Sequence, residues 1–386
     1  MKNKTGNFEL ISVPSGGNAR RGRLRTAHGS IDTPVFMPVG TRGTVKGITP
    51  SQLRATGSVV VLANTYHLLI RPGIETIEAL GGLHKLMGWD GPILTDSGGY
   101  QVFSLSTLNR VSDDGVEFSS HIDGARMYLD AKTVTEAQNR LGADIIMCFD
   151  QCVPFPCERE RLEKAVERTI RWAGQCLDAH SNHGQLLFGI VQGGTDRQLR
   201  TQCSQALAEM DFAGYAIGGL SVGEGHQRMV EMVNHTAPLL PENKPRYLMG
   251  VGTPADIVAA VRAGVDMFDC VLPTRNGRNA YAFTTGAPVR LRNNSHALDT
   301  GPIDVECDCC CCRNFSRGAL RHFFNVGEML GPILVSLHNI RFYQRLTEQI
   351  RQRIENGTFE TWADDFISKQ DVLLQSDIAE DGDNKP

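Results

Sequence analysis

Short apolar runs alternate with longer amphipathic stretches from about residue 34 onward. Eight runs have the length and composition of strands, at 35–37, 59–62, 93–95, 144–148, 187–191, 215–217, 247–249 and 267–269. Several are apolar throughout, as strands covered on both faces of a parallel sheet tend to be. Between them lie helical patterns. In 159–179, Leu162, Ala165, Val166, Ile170 and Ala173 recur at helical spacing, and in 254–263, Ala255, Ile257, Val258 and Val261 lie toward one side. Eight strand-then-helix units predict an α/β fold of the (β/α)8 barrel type, with an open doubly wound sheet as the structural rival.

Small and polar residues gather after these runs. Asp96-Ser97-Gly98-Gly99-Tyr100 follows the third, Asp150 the fourth, Gln192-Gly193-Gly194 the fifth and Gly218-Gly219-Leu220 the sixth. Gly250-Val251-Gly252 follows the seventh, and Asp269-Cys270 ends the eighth. In both candidate architectures the C-terminal strand edge carries the active site. Any one glycine there can serve a tight turn, and any one aspartate can cap a helix. Three aspartates and a glutamine at one edge point instead to chemistry. Two carboxylates at one mouth can act as nucleophile and acid–base at an acetal-like carbon, in glycoside cleavage or N-glycosidic exchange. A third can accept hydrogen bonds from the N–H edge of a purine-like base. Cys270 is a rival nucleophile with no histidine partner evident in the sequence.

The regular alternation stops after Asp269. Residues 275–322 hold seven arginines against four acids, in a chain whose formal net charge is −4. That overall charge excludes a globally basic nucleic-acid coat protein but leaves room for a local basic patch. The same region holds Cys307, Cys309, Cys310, Cys311 and Cys312. Read as C-x-C-x2-C, or as overlapping CxxC pairs, these thiols suit a tetrahedral zinc whose fourth ligand is His322 or His338, and spacing alone does not choose. A closed set of four protein ligands is structural. The 386 residues accommodate one large irregular barrel over 1–386 with a zinc-binding subdomain at about 275–340. A tail from about 371 to 386, with five acids and one lysine, reads as disordered. No apolar run approaches about 18 residues and none follows the N-terminal charges, so neither a membrane span nor a signal peptide is expected, and the location is expected to be cytoplasmic.

Longer motifs carry a resemblance. FMPVGTRGTVKG (36–47), NTYHLLIRPG (64–73), LTDSGGYQVFSLS (94–106), GGLSVGEG (218–225), YLMGVGTP (247–254) and FDCVLPTRNGRNA (268–280), with the cysteine cluster and LHNIRFY (337–343), resemble queuine tRNA-ribosyltransferases, the tRNA-guanine transglycosylases of bacterial type. The resemblance implies a barrel with a late zinc-bearing insertion. It implies exchange of guanine at wobble position 34 of GUN-anticodon tRNAs (Asn, Asp, His and Tyr acceptors) for the 7-deazaguanine preQ1, in queuosine biosynthesis.

It further implies that Asp269 is the nucleophile and Asp96 the general acid–base. Asp150 would bind the base edge with Ser97, Gln192 and the Gly219/Leu220 backbone, and Tyr100 and Met249 would sandwich the ring. Arg275 and Arg278 would read the flanking anticodon bases, and His338 rather than His322 would join Cys307, Cys309 and Cys312 on one structural Zn2+. Val222 follows the pattern of relatives that take preQ1 rather than the bulkier finished base, whereas Gln151 stands where bacterial relatives commonly carry an acid. A homodimer is implied through a cluster corresponding to Leu86, Phe315, Ala319 and His322. The rivals are a catalytically silent tRNA-binding subunit, a barrel glycoside hydrolase, and an enzyme inserting the archaeosine precursor elsewhere in tRNA.

Overall fold

The structure is a computed structural model, and it describes residues 7–14, 16–105 and 109–370. The acidic segment at 371–386 lies outside the described residues. Eight parallel strands form the central sheet: β1 (Val35–Pro38), β2 (Val61–Asn64), β3 (Ile93–Asp96), β4 (Ile145–Met147), β5 (Leu186–Val191), β6 (Gly214–Ile217), β7 (Arg246–Leu248) and β8 (Met267–Cys270). Each neighbours the next in chain order, and β8 returns to pair with β1 through Met267↔Val35 and Asp269↔Met37. A parallel bridge between Val39 and Leu62 joins β1 to β2 and completes the ring. The barrel is therefore the expected one, and the open sheet is excluded. The 59–62 run begins two residues early: Val59 is exposed, and β2 runs on to Asn64.

Side-chain alternation fills two layers. Val35, Met37, Leu62, Leu94, Ile145, Met147, Phe188 and Ile190 pack together inside the barrel. Their strand neighbours Phe36, Val61, Ile93, Ile146, Val191 and Phe268 pack outward with the helices. This two-sided burial is why the strands read as continuous apolar runs. The long amphipathic pattern forms the helix Arg159–Ala179 and the shorter one Pro254–Arg262, the latter opened by a Thr253 capping box.

Two three-stranded antiparallel sheets were not expected. Phe8–Ser12, Arg21–Thr26 and Gly29–Thr33 form one, and its Phe8, Leu24 and Ile31 join the barrel-interior cluster. Arg20, beside this sheet, pairs with buried Asp266 just before β8, with Nε donating to Oδ1 at 3.0 Å. The second sheet, Asn109–Val111, Val116–Ser119 and Arg126–Leu129, lies between β3 and β4 in the chain.

After β8 the chain detours through a cysteine-bearing unit whose small core includes Ala280, Leu291, Ile303, Leu320 and Phe324. It returns in the 26-residue helix Leu330–Glu355. That helix docks on the barrel as its closing helix: Gln344 Nε2 donates to the Phe36 carbonyl at 3.1 Å, and Tyr343 Oη to the Gly252 carbonyl at 2.6 Å.

Candidate functional site

The C-terminal ends of the strands open on a cavity of about 430 Å3. Asp96, Asp150 and Asp269 all line it, as do Ser97, Tyr100, Gln192, Gly219, Leu220, Met249, Val222 and Arg275. The three carboxylates predicted from separate strand ends thus meet at one mouth. Arg278 does not line the cavity. It is half-buried one turn beyond Arg275 on the helix Leu272–Arg278, and burial, then the charge of Arg275, lowers its pKa. Arg275 itself is exposed.

Each carboxylate has a different setting. Asp96 ends β3. It accepts hydrogen bonds from the Asn64 side-chain amide and from the Thr65 N–H at 3.1 Å. Burial pushes its pKa up to about 7; the Thr65 N–H opposes this, and the negative charge of Asp269 adds to it. Asp269, on β8, accepts from the Tyr247 hydroxyl at 2.6 Å and the Gly250 N–H at 2.7 Å, both on Oδ1. Burial raises its pKa as well, and those two donors pull it back toward the ionised form. Asp150 accepts from Gln192 Nε2 at 2.6 Å and from Ser97 Oγ at 3.4 Å. Burial lifts it to about 6, against the pull of Gln192 and Ser97.

The loops that hold these groups require glycine at two points. Gly98 has φ +77°, and a Cβ there would stand 2.6 Å from that of Tyr66. Gly219 has φ +65°, and a Cβ would run into Gln192 Oε1. Glycine at 219 therefore lets the β6 loop lie against the glutamine that grips Asp150. Beneath the floor, Arg200 is fully buried. Its Nε donates to the Gly194 carbonyl at 2.6 Å and NH2 to the Gly218 carbonyl at 3.0 Å, tying the loops after β5 and β6 together. The sequence reading missed Arg200, Asn64 and Tyr247. Asn64 and Tyr247 open the motifs at 64–73 and 247–254, whereas Arg200 lies on an ordinary amphipathic helix and leaves no signal.

Asp150 and Asp269 spend their oxygens on groups around the cavity rather than on helix caps. Cys270 is buried, and burial drives its thiol pKa far up, so it holds no thiolate for attack. Gln151 is buried with its side chain bonded to Arg168 NH1 at 3.2 Å and does not line the cavity.

In the cysteine-bearing unit, Cys307, Cys309, Cys312 and His338 bring four ligand atoms within 4.8 Å of one another. His338 Nε2 lies 2.6 Å from the Phe283 carbonyl, which fixes that nitrogen as the donor and leaves Nδ1 facing Cys312 Sγ at 3.2 Å. The Cys312 N–H also points at Cys309 Sγ, 3.4 Å away. Three soft sulfurs and one oriented imidazole fit a tetrahedral metal ion with no open position. His322 is exposed and outside this group, so the choice that spacing left open falls to His338. Cys310 is exposed and Cys311 buried, and neither belongs to the set.

Comparison with known proteins adds an independent line. The family model described as queuine tRNA-ribosyltransferase matches residues 15–372. A queuine tRNA-ribosyltransferase of Pelotomaculum thermopropionicum is 52% identical over 362 residues, covering 94% of this chain and 98% of that protein. Proteins of the same description from Thermoanaerobacter pseudethanolicus (51% identical, 94% and 97% covered) and Nitrosomonas europaea (52%, 92% and 96%) are similar over the same span.

Proposed function

Since the chain belongs to the queuine tRNA-ribosyltransferase family, we propose that it exchanges guanine at position 34 of GUN-anticodon tRNAs for preQ1 through a covalent Asp269–ribosyl intermediate. The observation that carries the reading is the pair of carboxylates from β3 and β8 that share one cavity. Asp269 is held by two donors that favour its anion, and Asp96 has a pKa near neutrality.

In this mechanism the target nucleotide is flipped out of the anticodon loop into the cavity. One Asp269 oxygen attacks the ribose C1′ and the bond from C1′ to the guanine nitrogen breaks, leaving a ribosyl ester. Asp96, protonated in part at neutral pH, delivers a proton to the departing base. As a carboxylate it then takes one from the incoming preQ1, whose ring nitrogen displaces Asp269 from C1′. Asp150, with Ser97 and Gln192, holds the polar edge of either base, the Gly219/Leu220 backbone meets its far side, and Tyr100 and Met249 flank the ring. Arg275 and Arg278 read the neighbouring bases, and phosphate contacts set the register of the strand. Val222 at the cavity wall limits room beyond the aminomethyl group, which favours preQ1 over the finished base.

The metal is proposed to be Zn2+ in a structural role, because its four ligands leave no position for water or substrate. Phe315, Ala319 and His322 are proposed, with Leu86, as the dimer contact. Phe315 and Phe323 meet edge to face there, with ring centroids 5.9 Å apart.

The decisive experiment is incorporation of radiolabelled guanine into unmodified tRNA-Tyr by the zinc-replete protein and by Asp269→Asn. The wild type incorporates label, and the variant loses on the order of 1,000-fold or more while still binding tRNA. Equal rates in the two proteins would remove Asp269 from the chemistry. No incorporation by the wild type would point to a silent subunit.

A further inference from the structure

A second cluster of ligating side chains stands at the opposite pole of the barrel. Asp144 immediately precedes β4 and is buried, with its side chain wholly inaccessible. It lies at the N-terminal end of the strands, whereas the cavity is built at their C-terminal ends. His28 comes from the turn between the strands Arg21–Thr26 and Gly29–Thr33. His84 comes from the short helix Leu83–Met87. Their rings stack at a centroid separation of 3.7 Å, and both reach the same carboxylate. His28 Nδ1 is 2.9 Å from Oδ1, and His84 Nε2 is 3.2 Å from Oδ2. One ligand atom from each residue lies within 4.8 Å of the other two.

We propose that His28, His84 and Asp144 form a second divalent-cation site, of the two-histidine, one-carboxylate type, that takes a first-row transition ion such as Zn2+, Co2+ or Ni2+. Three observations carry it. The first is the donor set: two imidazoles and a carboxylate suit these ions, and they arrive from three separate segments of the chain. The second is spacing: one nitrogen of each ring and a carboxylate oxygen lie within 4.8 Å of one another, close enough for small side-chain rotations to bring all three to one ion at about 2.0–2.1 Å. The third is charge. Asp144 also accepts the His28 and Ile93 N–H groups, both at 2.9 Å, but among the described residues no lysine or arginine pairs with it. The buried carboxylate therefore has no permanent cation beside it and faces a nitrogen of each ring. In the bound state each ring carries its hydrogen on the nitrogen away from the ion, and water fills the remaining positions. The bound ion would cross-link the N-terminal sheet and the Leu83–Met87 helix to the barrel floor.

The test uses the full chain with its cysteine site already loaded with zinc. Titration with Co2+ should show uptake of one further equivalent whose spectrum has ligand-field bands but no thiolate-to-metal charge transfer. That spectrum distinguishes this site from exchange at Cys307, Cys309, Cys312 and His338. His28→Gln and His84→Gln keep an N–H that can face Asp144. Each should weaken Co2+ binding by at least the roughly 10–100-fold that loss of an outer-sphere partner costs. Guanine exchange measured without cobalt should be unchanged in both, which verifies folding. In the wild type, two paramagnetically shifted ring N–H resonances should appear with the second equivalent. No second equivalent, one retained undiminished by the double variant, or a spectrum without two shifted imidazoles would each overturn the proposal and leave the trio as a hydrogen-bonded latch.

Discussion

The hydroxyl of Tyr247 is the most informative atom to remove from the cavity. In Tyr247→Phe the ring remains in the barrel interior, where Tyr247 is fully buried. Only the 2.6 Å hydrogen bond to Asp269 disappears, leaving Gly250 N–H as the remaining donor to that oxygen. A hydrogen bond to a charged group is worth about 1.5–3 kcal/mol. Tyr247 stabilises the anion of Asp269 and not its protonated form, so its loss raises the Asp269 pKa. At about 1.36 kcal/mol per unit the rise is about 1–2 units. Asp269 attacks as the carboxylate, so the acid limb of the pH profile of kcat/KM should move to higher pH by that amount. Below both values the rate should fall by about 10–100-fold, and the deficit should shrink as pH rises and the carboxylate is restored. The assay is guanine exchange into tRNA-Tyr across the acid and neutral range. A purely architectural role for the hydroxyl would depress the rate equally at every pH. A uniform loss with the acid limb unmoved would therefore refute the assignment.

Three further outcomes follow from the same geometry. Asp150→Asn should raise the melting temperature at neutral pH while weakening guanine binding. The folded-state pKa of Asp150 is about 6, above the unfolded value of about 3.9, so its ionisation removes up to about 3 kcal/mol of stability as pH climbs through that window. In calorimetry the gap between variant and wild type should close below about pH 4, and a gap that widens on acidification would contradict the sign. His338→Ala should lower bound zinc by up to one per chain, counted by mass spectrometry of the native protein. It should also make residues 280–335 exchange backbone hydrogens faster while the barrel strands stay protected, and full retention of zinc would disprove the ligand set. Arg275→Ala should reduce kcat/KM for tRNA by roughly 5–150-fold, from about 1–3 kcal/mol per base contact, with the KM for free guanine unchanged. A raised KM for free guanine would place Arg275 in the base pocket instead.

The barrel was legible because its strands are buried on both faces. Runs such as 187–191 are apolar at every position and bounded by turn residues, and seven of the eight strands lie within a residue of their expected bounds. The strand-end aspartates were legible for a related reason: a carboxylate after an apolar run is conspicuous. The two three-stranded antiparallel sheets were not. Arg21–Thr26 alternates charged and apolar residues on a half-exposed surface and so offers no continuous apolar run, although its Leu24 packs with the barrel-interior cluster. Arg200 was invisible because an arginine on an amphipathic helix is expected to face water. Here its partners are two loop carbonyls that only the closed barrel brings to it. The His28–His84–Asp144 cluster was hidden by distance along the chain, since its members belong to three different segments.

The closing helix Leu330–Glu355 also sets an order on synthesis. It covers β1 through Phe36, while Arg351 NH1 reaches the Pro34 carbonyl at 2.6 Å, and the same helix carries His338. As the chain leaves the ribosome, β1 is among the first barrel strands to emerge, yet its pairing partner β8 ends at Cys270 and its covering helix at Glu355. A nascent chain of 300 residues therefore has every barrel strand but lacks the cover for the seam between β1 and β8. Covering of that seam and assembly of the four-ligand metal site thus both wait for the same helix, Leu330–Glu355.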